Sequence, residues 1–133
     1  STALAAATIS STEFDISSFD VSAGGTLSVT VNYNEQITVA GSPTIAVTNS
    51  QAGGGSAASL TLTKSASTAN TVTFTLVVGA AGSTISADDI LSIGAQNVLL
   101  AGGTITDTVA TTAAAVAVSA AAGAGAGTIT AVA

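Results

Sequence analysis

The chain reads as all-β, an antiparallel β-sandwich, on three observations. Apolar side chains alternate with small hydroxyl side chains in one run after another. Clusters of turn formers separate the runs. No stretch sustains the apolar spacing of an amphipathic helix.

Residues 1–12, rich in Ala, Ser and Thr and without a clear period, are expected to form an N-terminal arm. Residues 13–119 carry the sandwich. Leu27, Val29, Val31 and Tyr33 alternate with Ser28, Thr30 and Asn32. Ile45 and Val47 alternate with Thr44, Ala46 and Thr48, and Leu60 and Leu62 with Thr61 and Thr63. Val72, Phe74, Leu76 and Val78 alternate with Thr73, Thr75 and Val77. Each run offers one apolar face and one small polar face, as a sheet packed on one side requires. The breaks are "SAGG" at 22–25, "AGSP" at 40–43, "QAGGG" at 51–55, "GAAG" at 79–82 and "AGG" at 101–103. The one candidate helical turn is "SADDIL", with Ser86 as N-cap and Asp88 and Asp89 in the first turn. Residues 120–133, "AAAGAGAGTITAVA", are low in complexity and form a C-terminal arm.

Glu35 breaks the pattern. It falls on the apolar parity of Leu27 to Val39, where a straight strand would bury an unpaired carboxylate at a cost of several kcal/mol. The flanking Asn32 and Asn34 tolerate bulges and turns. The chain is therefore expected to bend near Asn34–Gln36, leaving Glu35 at the sandwich rim, with parity resuming at Ile37 and Val39 after a shift or a crossing to the other sheet.

Composition excludes several function classes. The 133 residues suit one domain. Charged residues make up 6 %, against about 25 % in a typical soluble domain. The net charge is −6, and Lys64 is the only residue in the Lys and Arg count. That removes the cations that nucleic-acid binding and polybasic membrane patches need. There is no Cys, hence no disulfide and no thiolate metal site. Apolar runs are too short for a membrane span of about 20 residues. "STALAAATISS" lacks the basic and apolar regions of a signal peptide; it fits either a chain trimmed of its initiator Met or a mature form whose leader was cut away.

Catalysis lacks a base. Ser and Thr are abundant, but there is no His or Cys, and Lys64 in a Thr/Ser run is a poor activator. The acids are Glu13, Asp15, Asp20, Glu35, Asp88, Asp89 and Asp107. As a group they read as solvated loop carboxylates. "EFDISSFD" makes Glu13, Asp15 and Asp20 the calcium candidates, although no EF-hand pattern is present. No cofactor, catalytic residue or metal is assigned beyond that. Tyr33 and Phe74 read as core, which leaves Phe14 and Phe19 as the aromatics for any sugar platform.

"AGGTLSVTVNYNEQITVAGSPTIAV", "NTVTFTLVVG" and "NVLLAGGTITDTVATTA" occur in this order. Together they resemble a family of bacterial Ig-like repeats over residues 20–113. "LAGGTITD", Leu100–Asp107, is the strongest match. Tyr33 stands where Phe is usual, and the "GN" that follows the closing Asp is absent. Such repeats occur in tandem in large surface adhesins and in virion proteins of tailed phages. The resemblance implies an Ig-like sandwich with a structural or adhesive role, and it places an acid at position 35.

A lone repeat without a visible export signal points to a virion assembled in the host cytoplasm. The expected role is a capsid decoration protein that binds the outer shell. Its partners would be the major capsid protein or another virion protein, and copies of itself. Tails of Ala, Ser and Gly lose much entropy on ordering, so they are expected to order by strand addition to neighbours. The alternative is an extracellular adhesin or surface-layer module binding a cell surface or glycan.

Overall fold

The computed structural model describes residues 5–80, 84–118 and 128–133. Twelve strands and no helix occur among them. They are β1 (Ile9–Phe14), β2 (Phe19–Asp20), β3 (Gly25–Tyr33), β4 (Ile37–Ala40), β5 (Thr44–Asn49) and β6 (Ser59–Ser67). Then follow β7 (Thr71–Val78), β8 (Ile90–Ser92), β9 (Gln96–Asn97), β10 (Thr104–Asp107), β11 (Ala117–Val118) and β12 (Thr128–Val132). Eight of them form one curled sheet in the order β1-β3-β7-β6-β5-β8-β12-β2. Two small ladders, β10-β4 and β11-β9, complete an arrangement consistent with a β-sandwich around one core.

Alternation explains the core. Leu27, Val29 and Val31 of β3 and Val72 and Phe74 of β7 are fully buried, and the two strands pair Val29 with Phe74 and Val31 with Val72. Ile45 and Val47 of β5 lie opposite Leu62 and Leu60 of β6 on the same buried face. Each such side chain contributes about 1.5–3 kcal/mol by leaving water. Val77, on the hydroxyl parity of β7, is 77 % exposed.

The bend at Glu35 is present. β3 ends at Tyr33, Asn34 and Glu35 turn, and Ile37 starts β4 in a different ladder. The Asn34 side chain accepts from the Thr8 amide at 2.8 Å, and the Asn34 backbone N–H donates to the Thr8 carbonyl at 3.0 Å. Tyr33 is buried, and its hydroxyl donates to the Ala115 carbonyl at 2.9 Å. A Phe at this position would leave that carbonyl without this partner.

Three expectations are corrected. The turn "SADDIL" is not helical: Asp88 has φ 74°, and the Asp89 amide closes a tight turn on the Ser86 carbonyl at 3.0 Å. A residue in the left-handed region stops a helix at once. The domain also extends past its predicted limits. β1 starts at Ile9 and pairs with β3, and Ala7 is fully buried. β12 lies between β8 and β2, with Ile129 and Ala131 in the core. The described parts of both arms are thus ordered by pairing within this chain, because their small apolar residues alternate like those of any other strand. The remainder of the arms, residues 1–4 and 119–127, lies outside the described residues. Finally, Asp89 and Asp107 are not solvated; both are buried.

Candidate functional site

The calcium candidates do not converge. The Asp15 carboxylate accepts from the Ser28 hydroxyl at 2.6 Å and from the Thr30 hydroxyl at 2.8 and 2.9 Å. Asp20 caps its own turn, accepting from the Ser22 amide, the Ser22 hydroxyl and the Ala23 amide. Those bonds, the hydroxyl's first, lower its pKa. Glu13 accepts from the Asn32 side chain at 3.4 Å. Among the described residues no group of three or more His, Cys, Asp or Glu is placed to hold a metal. No helix among them is long and apolar enough to cross a membrane.

The fold instead brings together two acids that lie far apart in the sequence. β10 pairs with β4 so that Asp107 lies opposite Ile37, two residues after Glu35. At the opposite end of this ladder Gly41 and Gly103 pack closely. A Cβ on Gly41, whose φ is +82°, would come within 2.7 Å of the Gly103 Cα. Past Asp107 the chain turns back, and Oδ1 holds the turn by accepting from the Val109 amide at 3.0 Å and the Ala110 amide at 2.8 Å. The Thr108 amide ties the turn to the Gln36 carbonyl at 2.9 Å.

The Asp107 side chain is 2 % exposed, and its Oδ2 has no hydrogen-bond partner. The Glu35 carboxyl meets it from the exposed side. Ala5, Glu35, Gln36, Asp107, Val109 and Ala110 line a cavity of about 260 Å3 there. The two acids divide the local field. The Ala110 amide, working against burial, and then contact with Glu35 and the Val109 amide hold Asp107 below its ordinary value. The Ala7 amide adds a small pull without closing a hydrogen bond. Contact with Asp107, then burial and charge repulsion, push Glu35 up. A protonated Glu35 can share its proton with Asp107, whereas an ionised Glu35 sets two negative charges side by side.

Asp89 is the other buried carboxylate, and it lacks nothing. Oδ1 accepts from the Gly53 amide at 2.7 Å and the Gly55 amide at 3.4 Å. Oδ2 accepts from the Ser86 amide at 2.9 Å and the Asn49 side-chain amide at 3.0 Å. Burial raises its pKa, but these four donors outweigh burial and the net shift is downward. The "AGGG" loop can wrap it only because side chains are missing. A Cβ on Gly55 would strike Asp89 Oδ2, and one on Gly53 would strike the Ala87 carbonyl. Asp89 is a structural staple.

Parity is the only local trace of both buried acids, and in segments this short it is faint. Asp107 shares it with buried Ile105, and Asp89 with buried Leu91 and Ile93. The four aromatics, Phe14, Phe19, Tyr33 and Phe74, are all buried, so none offers a stacking platform. Comparison with protein-family models, with curated proteins and with solved structures finds no match for this chain.

Proposed function

We propose that the chain is an Ig-like structural module of a tailed-phage virion, a capsid decoration protein that binds the outer shell and stabilises it by contacts with shell protein and with its own copies. The observation that carries the reading is the β4–β10 ladder. Parts of the opening and closing segments that carry the family likeness are partners in space, from Ile37 opposite Asp107 to Ala40 opposite Thr104. A likeness of motif alone would not require them to meet.

The chemistry of the side chains favours a structural role. Asp15, Asp20 and Asp89 spend their oxygens on internal donors. Strands β6 and β7 present Thr and Ser outward, a face with little charge to desolvate when another subunit packs on it. Val77, Leu99 and Val109 add exposed apolar contact area. Burial of every aromatic disfavours the alternative of a glycan-binding adhesin, since sugar rings are held mainly by exposed aromatic faces.

The test is mass spectrometry of particles purified from the source, alongside its cell-envelope fraction. Elastase is the suitable protease, because trypsin has only Lys64 to cut. Peptides of this chain at a copy number comparable to the major shell protein are the expected result. Enrichment in the envelope fraction, or binding of the isolated domain to a glycan array, would replace the virion reading with the adhesin.

A further inference from the structure

We propose that the cavity between Glu35 and Asp107 binds a calcium ion. The geometry is that of a half-built cation site. Asp107, which lines the cavity, is 2 % exposed; its Oδ1 is locked by the Val109 and Ala110 amides, and its Oδ2 has no hydrogen-bond donor. A buried carboxylate oxygen without a donor is costly, and the cost grows when a second carboxylate faces it. The chain's one Lys, Lys64, belongs to β6, where it pairs with Phe74, and it does not line the cavity.

The donor set selects the ion. The polar residues that line the cavity, Asp107, Glu35 and Gln36, all carry side-chain oxygens. Oxygen-only donors favour a hard cation over a transition metal, for which His and Cys would be expected. Calcium accepts irregular sets of six to eight oxygens and takes waters for the remainder, and a cavity of about 260 Å3 has room for them. Magnesium demands a tighter octahedron and gives up its own waters reluctantly. With two carboxylates the affinity falls in the range of extracellular calcium modules, a Kd of about 10⁻⁴–10⁻³ M. Binding would join β4, β10 and the N-terminal segment at Ala5, whichever assembly the module serves.

The experiment uses the full chain, stripped with EGTA and dialysed at pH 7.5. Calcium chloride is titrated by calorimetry, and thermal melts are recorded up to about 10 mM calcium, some ten times the weakest Kd expected. Wild type should bind one calcium and gain thermal stability with concentration. Glu35→Gln, a change at an exposed rim position, should fold normally and lose affinity at least about tenfold, because a neutral amide replaces one of two charged ligands. Asp15→Asn, whose carboxylate is held by Ser28 and Thr30, should leave the response intact. The proposal fails if wild type shows no calcium response. It fails equally if Glu35→Gln responds as wild type does, or if the response disappears in Asp15→Asn instead. A wild type blind to calcium whose Glu35→Gln variant is the more stable at pH 7.5 would assign the bridging charge to a proton.

Discussion

Asp89 and Asp107 invite comparison. Each ends or precedes a short strand on that strand's apolar parity, and each is almost fully shielded from water. Around Asp89, a glycine loop, a turn and Asn49 supply a donor to every position the carboxylate needs. Around Asp107, only one oxygen is served, and a second acid, Glu35, contacts the carboxylate. Burial therefore does not define a role; the completeness of the hydrogen bonding does. A saturated carboxylate holds the fold, whereas an unsaturated one facing a cavity is available to something else.

The largest expected effect breaks the staple. Asp89→Ala leaves the Ser86, Gly53 and Gly55 amides and the Asn49 side chain without their acceptor inside the protein. The cost is about 3–5 kcal/mol, read as a lower urea midpoint. Asp107→Ala loses the Val109 and Ala110 bonds but also removes the orphan oxygen, so its midpoint should fall less. Equal losses would abolish the distinction between the two sites.

Next comes the cradle. Gly55→Ala drives a methyl into Asp89 Oδ2 and the Thr84 carbonyl, and should cost about 2–4 kcal/mol. Gly79→Ala meets nothing within 4 Å among the described residues and should be close to neutral. If both are neutral, the "AGGG" loop is not fitted to Asp89.

How far the sequence foretells these sites follows from where each signal lies. Alternation at Leu27–Tyr33 and Val72–Val78 is local, so the strands are legible. Glu35 is legible as a fault in that alternation, and the bend that relieves it is where the sequence places it. Asp89 and Asp107 are not, because "SADDIL" and "TITD" are too short for parity to compete with the rule that Asp prefers turns. Three of the four partners of Asp89 lie 34 to 40 residues away, a distance that no local pattern spans. The terminal strands β1 and β12 are hidden by composition: Ala, Ser and Thr look like tail residues until a sheet edge accepts them.

Proton linkage separates the two acids by sign. Asp89 and Asp107 sit below their ordinary value of 3.8, so each stabilises the fold above that pH and ceases to as pH falls through its lowered pKa. Glu35 is raised above 4.5, so its contribution is present in acid and is lost as pH rises through its folded pKa. In EGTA, melting curves of wild type and Glu35→Gln should therefore nearly coincide in acid and diverge as pH rises through the folded pKa of Glu35, with the variant the more stable. Added calcium should close or reverse that gap. Curves that run parallel from pH 3 to pH 8 would show that Glu35 and Asp107 do not share a field.

The smallest effect concerns the other orphan atom. Thr12 is 3 % exposed on β1, opposite buried Val31, and its hydroxyl has no hydrogen-bond partner. Unlike Asp107 Oδ2 it is uncharged, and it does not line the Glu35 cavity. If an orphan atom marks a site only when it bears charge beside open space, Thr12 is a plain cost of folding. Thr12→Val keeps the shape and the β-branched preference for a strand while removing the undonated hydroxyl. It should stabilise by about 0.5–1 kcal/mol at every pH and leave the calcium response untouched. A destabilised Thr12→Val would mean that the hydroxyl has a bound water for a partner. The bare oxygen of Asp107 would then need the same scrutiny before a cation is assigned to it.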